Sequence, residues 1–119
     1  MSAITFRRTL DAERVAAYAE LTQDFNPIHL DADFAAGTPF GRRIVHGTLT
    51  LTLLWQALAE LDPALEVAGA RLSVRFTAPV GVGETVTATA AETESGGIAF
   101  TVETAEGRPA LQASLTRPG

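Results

Sequence analysis

The feature that most constrains the fold is a change of hydrophobic period beyond residue 68. Apolar and polar side chains alternate from there onward, which is typical of strands that bury one face. The pattern predicts strands at 71–77, 85–92, 98–104 and 110–116, separated by glycine-containing turns at 79–84, 95–97 and 106–109. Because such short turns join them, we expect neighbouring strands to pair antiparallel.

The first 40 residues follow a different pattern. Residues 4–8 alternate weakly and predict a short first strand, after which Asp11 can cap a helix. Asp31 can cap a second, short helix that Gly37 ends. The segment between these two helices is therefore a loop in a defined position.

Residues 47–61 are ambiguous, because threonine and leucine alternate at their start as they would in a strand. Length and the later run of Ala, Leu, Gln and Glu favour a helix, which Asp62-Pro63 ends. A helix that is apolar on most sides is one that a sheet covers. The sequence thus predicts an α+β fold, with residues 1–119 forming one domain in which an antiparallel sheet wraps around a central helix.

Composition excludes several kinds of chemistry. The chain has no cysteine and all nine cationic residues are arginine, so thiolate and amine nucleophiles are absent. A net charge of −5 and the lack of a basic stripe argue against a nucleic-acid surface. No apolar run reaches the roughly 18 residues that a membrane span needs, and the first residues lack the apolar core of a signal peptide. We expect a cytoplasmic protein that binds neither nucleic acid nor membrane.

The loop between the two predicted helices carries a candidate acid/base pair. Asp24 and His29 are five positions apart, and Asn26-Pro27 between them predicts a defined turn. A carboxylate beside an imidazole can share one water and move a proton in either direction near neutral pH. The alternative is structural, with Asp24 as a capping residue and His29 as a histidine satisfied within a loop.

A second histidine element, Ile44-Val45-His46-Gly47, precedes the predicted central helix. Free amides at a helix start carry partial positive charge, and Gly47 allows a ligand to approach the backbone closely. A carbonyl oxygen bound there would be stabilised as it gains charge. The alternative is an ordinary glycine at a helix start. Asp24, His29 and His46 are metal-ligand types, but they lack a close ligand spacing, and we expect no metal.

Taken together, LTQDFNPIHLD and GRRIVHGTL resemble the MaoC-like, (R)-specific enoyl-CoA hydratase family, whose fold is the hot-dog fold. The resemblance covers essentially the whole chain. It includes the Asp-x-Asn-Pro-x-His motif, with an aromatic residue before it at Tyr18. Gln23 departs from the glycine that is common in the family at that position.

The resemblance implies reversible hydration of a trans-2-enoyl thioester, carried by coenzyme A or an acyl carrier protein, to a (3R)-3-hydroxyacyl thioester. Asp24 would be the principal base and His29 the partner acid, and the Gly47 N–H would polarise the carbonyl. Asn26 would shape the loop, with His46 beside the substrate. No cofactor is implied, and a homodimer is expected.

Arg42 and Arg43 come just before the second histidine element. They could meet the phosphates of coenzyme A or the acidic surface of a carrier protein. The alternative interpretation is that both are solvated loop residues without a ligand.

A departure at Trp55 bears on activity and specificity. Some family members have a supporting serine about there, so Thr50 or Thr52 would have to supply the hydroxyl, and the indole could close an acyl tunnel. Trp55 therefore leaves open a second function, that of a non-catalytic acyl-binding or stabilising subunit of a heteromeric dehydratase. A hot-dog thioesterase is a further alternative, and it is less favoured because such enzymes usually lack the Asp-x-Asn-Pro-x-His loop.

Overall fold

The computed structural model describes residues 2–118. Its elements along the chain are β1 Ala3–Thr9, α1 Ala12–Thr22, α2 Pro27–Leu30, α3 Ala32–Ala36, α4 Gly47–Leu61, β2 Arg71–Phe76, β3 Thr85–Glu92, β4 Ile98–Glu103 and β5 Pro109–Thr116. The predicted order of strands and helices is confirmed, and α2 is an additional single helical turn. Within residues 2–118 no helix combines the length and apolar character needed to cross a bilayer.

The five strands form one antiparallel sheet in the order β1-β3-β4-β5-β2. The hairpins from β3 to β5 make its centre, because short turns join these strands. The first strand of the chain pairs with β3, and β2 pairs with β5. Consequently β1 and β2 are the two edge strands.

The core lies between one face of this sheet and α4. Alternate residues of β3, β4 and β5 face the helix, and the largest of them, Phe100, is 2% exposed. On the helix, the residues that pack against this face are Leu53, Leu54, Ala57 and Leu58, all of which are buried. The predicted sheet wrapped around a central helix is confirmed.

The opposite side of α4 is open in the single chain. Thr48 and Gln56 are exposed there, and Trp55 keeps 46% of its surface exposed. The helix is apolar on most sides because leucines and alanines fill it, but a single sheet can cover only one of those sides. This open side is a surface that the sequence pattern did not reveal.

Candidate functional site

Asp24 is placed by the end of α1. Gln23 closes that helix in the left-handed conformation, with φ at 58°, and the Asp24 amide donates to the carbonyl of Ala19 at 3.0 Å. The Asp24 carboxylate accepts a hydrogen bond from the Asn26 amide at 3.3 Å, and the Asn26 side chain accepts one from the Ile28 amide at 3.1 Å. Asn26 therefore caps α2 and holds the loop in shape.

His29 is held by the segment that leads to α4. Its Nδ1 lies 2.7 Å from the carbonyl oxygen of Ile44, and the Ile44 amide donates to the carbonyl of Ile28 at 3.1 Å. Because a carbonyl can only accept, Nδ1 carries the hydrogen. The other ring nitrogen, Nε2, is then the one that can exchange a proton.

His46 packs against this pair and occupies the N-cap position of α4, where its side chain makes no capping hydrogen bond. It is 2% exposed, and its Nε2 lies 3.1 Å from the carbonyl oxygen of Asp24 and 4.0 Å from a carboxylate oxygen of the same residue. Its ring stacks on that of His29, with centroids 3.7 Å apart and planes inclined by 26°. Tyr18 meets it edge-on, at 5.1 Å between centroids.

The structure thus brings together Asp24 and His29, as the sequence predicted, and adds His46 to them. One carboxylate oxygen of Asp24 and one ring nitrogen of each histidine lie within 4.8 Å of one another. The Asp24 side chain is 52% exposed, so its carboxylate faces the outside of the chain. That separation suits a single water shared by the carboxylate and an imidazole.

The same three residues have the donor types of a metal site, but their geometry fits one poorly. A shared ion needs ring lone pairs that converge on one point, and a ring lone pair lies in the plane of its ring. The His29 and His46 rings are stacked and nearly parallel, so their lone pairs lie in separate planes. The absence of a metal stays a prediction, and this geometry supports it.

The start of α4 supplies hydrogen-bond donors beside this group. Within residues 2–118 the amides of Gly47 and Thr48 make no hydrogen bond. A cavity of about 320 Å³ adjoins them, lined mainly by apolar side chains that include Phe40, Phe76 and Val80. A Cβ at Gly47 would lie 3.1 Å from the Phe76 ring. The missing side chain therefore leaves room both for that ring and for access to the amides.

Neither threonine proposed from the sequence has a free hydroxyl. Thr50 donates to the Gly47 carbonyl at 2.5 Å, and Thr52 donates to the Leu49 carbonyl at 2.6 Å. The hydroxyl that the sequence reasoning missed is that of Thr48, which accepts a hydrogen bond from the Tyr18 hydroxyl at 2.7 Å. The aromatic position of the motif and the threonine after Gly47 were visible in the sequence, but their contact was not.

Trp55 does not border the cavity beside Gly47. A second cleft, of about 250 Å³ between α1 and α4, is lined by residues that include Tyr18 and Leu49 but not Trp55. In the single chain, therefore, the indole does not close either space. The expectation that it closes an acyl tunnel gains no support.

The two arginines before α4 differ. Arg42 lies 3.4 Å from a carboxylate oxygen of Glu84, and its guanidinium covers Gly81, where a Cβ would come within 2.3 Å of it. The Arg43 side chain forms no ion pair or hydrogen bond in the described part of the chain. Arg43 is thus the freer of the two to meet an anionic ligand, while Arg42 would have to leave Glu84.

Comparison with known proteins agrees with this architecture. The model of the MaoC-like domain family matches residues 3–112. The chain therefore belongs to the MaoC-like family, and its fold is the hot-dog fold.

Individual relatives point the same way. An (R)-specific enoyl-CoA hydratase of Aeromonas caviae is 47% identical over 77 residues, which cover 65% of this chain and 58% of that protein. A 3-hydroxybutyryl-CoA dehydratase of Methylorubrum extorquens is 39% identical over 80 residues, covering 67% and 51%. The aligned part thus spans little more than half the length of these relatives.

A solved structure extends the likeness to nearly the whole chain. The (R)-hydratase of A. caviae involved in PHA biosynthesis superposes with a TM-score of 0.83 at 33% identity. The superposition covers 99% of this chain and 95% of that one. The fold therefore matches well beyond the stretch that aligns in sequence.

Proposed function

We propose that this protein reversibly hydrates trans-2-enoyl thioesters to (3R)-3-hydroxyacyl thioesters. The observation that carries the proposal is the meeting of Asp24 and His29 within 4.8 Å, next to the free amides at the start of α4 and an apolar cavity. The names of the relatives, enoyl-CoA hydratase and dehydratase, support the same reaction class.

In the proposed hydration, one water lies between Asp24 and His29. Its oxygen adds to the β-carbon while Asp24 takes one of its protons. His29, protonated on Nε2, gives that proton to the α-carbon. The proton on Asp24 then returns to His29, which resets the pair, and dehydration follows the same steps in reverse. The contact between His29 Nδ1 and Ile44 supports this role, since it leaves Nε2 as the exchanging nitrogen.

The thioester carbonyl is proposed to bind at the amide of Gly47, with the Thr48 amide beside it. Negative charge develops on that oxygen as the β-carbon is attacked, and helix-start amides stabilise it. The thioester itself makes the α-carbon acidic, so the reaction needs no cofactor. The acyl chain would extend into the cavity that Phe40 and Phe76 help to line.

The carrier is proposed to be coenzyme A or the pantetheine arm of an acyl carrier protein, contacted by Arg43 and, when released from Glu84, by Arg42. Replacing both arginines with alanine should raise KM more than it lowers kcat. Arg7→Ala is the matched control, because that arginine is exposed on β1, at the opposite edge of the sheet from β2. A KM unchanged in the double variant would remove the arginines from this role.

Incubating the purified chain with crotonyl-CoA tests the reaction itself. Loss of the absorbance of the conjugated double bond, with formation of (3R)-3-hydroxybutyryl-CoA on chiral analysis, is the expected result. Release of free thiol would indicate a thioesterase instead. No reaction at all would contradict the proposal and favour a non-catalytic subunit of a heteromeric dehydratase.

We further propose that the protein is a cytoplasmic homodimer. Three features support pairing with a second copy: an edge of β2 that no other strand of residues 2–118 pairs with, the exposed Phe76 at the end of β2, and the open side of α4. A cytoplasmic location fits a substrate carried by coenzyme A, and fractionation of cells that express the tagged full chain would test it.

A further inference from the structure

We infer that His46 is a positioning residue for the Asp24 and His29 pair, an inference that rests on the proposed hydration. Among the described residues it touches both members of the pair at once, through different parts of its ring. At 2% exposure it is too enclosed to meet a substrate directly. It would therefore affect the reaction by holding Asp24 and His29 in place.

The first contact is a hydrogen bond to the backbone of Asp24. The Asp24 carbonyl can only accept, so His46 Nε2 must carry the hydrogen across the 3.1 Å between them. This bond fixes the backbone from which the Asp24 side chain projects. Since that side chain is 52% exposed, backbone anchoring compensates for the few contacts around the carboxylate.

The second contact is the stack on His29. The Ile44 carbonyl fixes one edge of the His29 ring, but a single hydrogen bond leaves a ring free to tilt about it. The face of His46, 3.7 Å away, removes that freedom. Tyr18 supports His46 edge-on in turn, and the Tyr18 hydroxyl is held by Thr48 at 2.7 Å. A chain of contacts thus fixes the direction of His29 Nε2.

The second ring nitrogen of His46 argues against a role in packing alone. His46 Nδ1 is buried without a hydrogen-bond partner in the described part of the chain. Burying a polar atom without a partner destabilises a fold, whereas an apolar ring of similar shape would avoid this. Such a ring could stack on His29, but it could not donate to the Asp24 carbonyl. A histidine combines both contacts at this position.

Three substitutions separate the two contacts. His46→Gln keeps an amide donor near the position of Nε2 but loses the ring, His46→Phe keeps a ring but loses the donor, and His46→Ala loses both. We expect kcat to fall about tenfold to a hundredfold in His46→Ala, in line with the effect of misplacing a catalytic group, and less in the other two. KM should stay within about twofold in all three, because substrate contacts are unchanged.

Val102→Ala is the control for lost stability alone. It removes packing at a fully buried position of β4, away from the loop. We expect it to lower the melting temperature while kcat below that temperature stays at the wild-type value. If the His46 variants and this control behave alike, or if kcat is unchanged in all three His46 variants, the positioning role is wrong.

A second measurement does not depend on turnover. In ¹⁵N spectra of the neutral rings, wild-type His29 should carry its hydrogen on Nδ1 and His46 on Nε2. In His46→Ala, His29 should keep its hydrogen on Nδ1, because the Ile44 carbonyl still accepts it, but ¹³C relaxation of the His29 ring should show greater mobility, because no ring face holds it. An inactive wild-type protein would refute the hydration, whereas equal mobility of the His29 ring in wild type and His46→Ala would refute the positioning role.

Discussion

At the scale of single residues, Asp24 and His29 are the groups whose loss should matter most. Asp24→Asn removes the base and His29→Gln removes the exchanging nitrogen. Each should lower kcat for crotonyl-CoA hydration by about two to four powers of ten, the usual worth of a placed acid or base. Asp33→Asn serves as the control, since Asp33 is exposed on α3. Activity within tenfold of wild type in Asp24→Asn would show that another group is the base.

Gln23 is a residue whose backbone conformation conflicts with its side chain. It has the left-handed φ of 58° that glycine adopts without strain. Gln23→Gly should therefore raise the free energy of unfolding by about 0.5–1 kcal/mol in urea titrations, after allowing for the greater freedom of glycine in the unfolded chain.

Gln23→Ala is the matched control for that change. It loses the hydrogen bond from the Gln23 side chain to the Glu20 carbonyl, at 2.7 Å, but keeps the strained backbone. No gain in stability is expected from it. Equal stability of the glycine and alanine variants would show that the left-handed position stores no strain.

The residues of the site were predictable where they are close in sequence. Asp24 and His29 share one loop, and the sequence predicts the Asn26-Pro27 turn between them. The link from His46 to Asp24 spans 22 positions and that from Tyr18 to Thr48 spans 30. Such contacts depend on how α1 packs beside the start of α4, which no local pattern records.

At the scale of elements, predictability followed length. The 8 residues of β3 are long enough for their period to show, whereas the period of α4 is ambiguous and its 15-residue length and composition favoured the helix; the bounds of both match the prediction. The single turn of α2 has 4 residues, too few for a period, and the sequence indicated only a turn there. Because α4 is apolar on most sides, the sequence could not show which side the sheet leaves open.

The turn between β3 and β4 gives a test of close packing. A Cβ at Gly97 would lie 2.6 Å from the Leu115 carbonyl oxygen, a backbone atom of β5 that can move only with its strand. Gly97→Ala should therefore lower the free energy of unfolding by about 1–3 kcal/mol, as overpacking usually does. The same urea titrations measure it.

Gly37→Ala is the comparison for that change. At Gly37, which ends α3, a Cβ would make an ordinary contact of 3.5 Å with the Phe34 carbonyl, and the backbone is in the right-handed helical region. The change in stability should stay within about 0.5 kcal/mol. A loss as large as that of Gly97→Ala would point to the added methyl group itself and not to the contact with β5.

At the scale of the whole molecule, the sheet and α4 leave one region unfinished. The edge strand β2 ends in Phe76, which is 55% exposed and contacts the start of α4, and Trp55 lies two turns further along that helix. Both expose large apolar surfaces, and Phe76 lines the cavity beside Gly47. A second copy that covers them would also enclose the cavity beside Gly47, so assembly and substrate binding would be linked.

Trp55→Glu tests that link. A charge in place of the indole would be buried unpaired if a second copy covers this side of α4, so we expect the dimer to dissociate at micromolar concentration. Ala99→Glu is the control, because it places the same charge on the outer face of the central strand β4. Sedimentation velocity gives the molecular mass, and crotonyl-CoA hydration gives the activity. Dimers in both variants would place the interface elsewhere, whereas a fully active Trp55→Glu monomer would show that one chain completes the site.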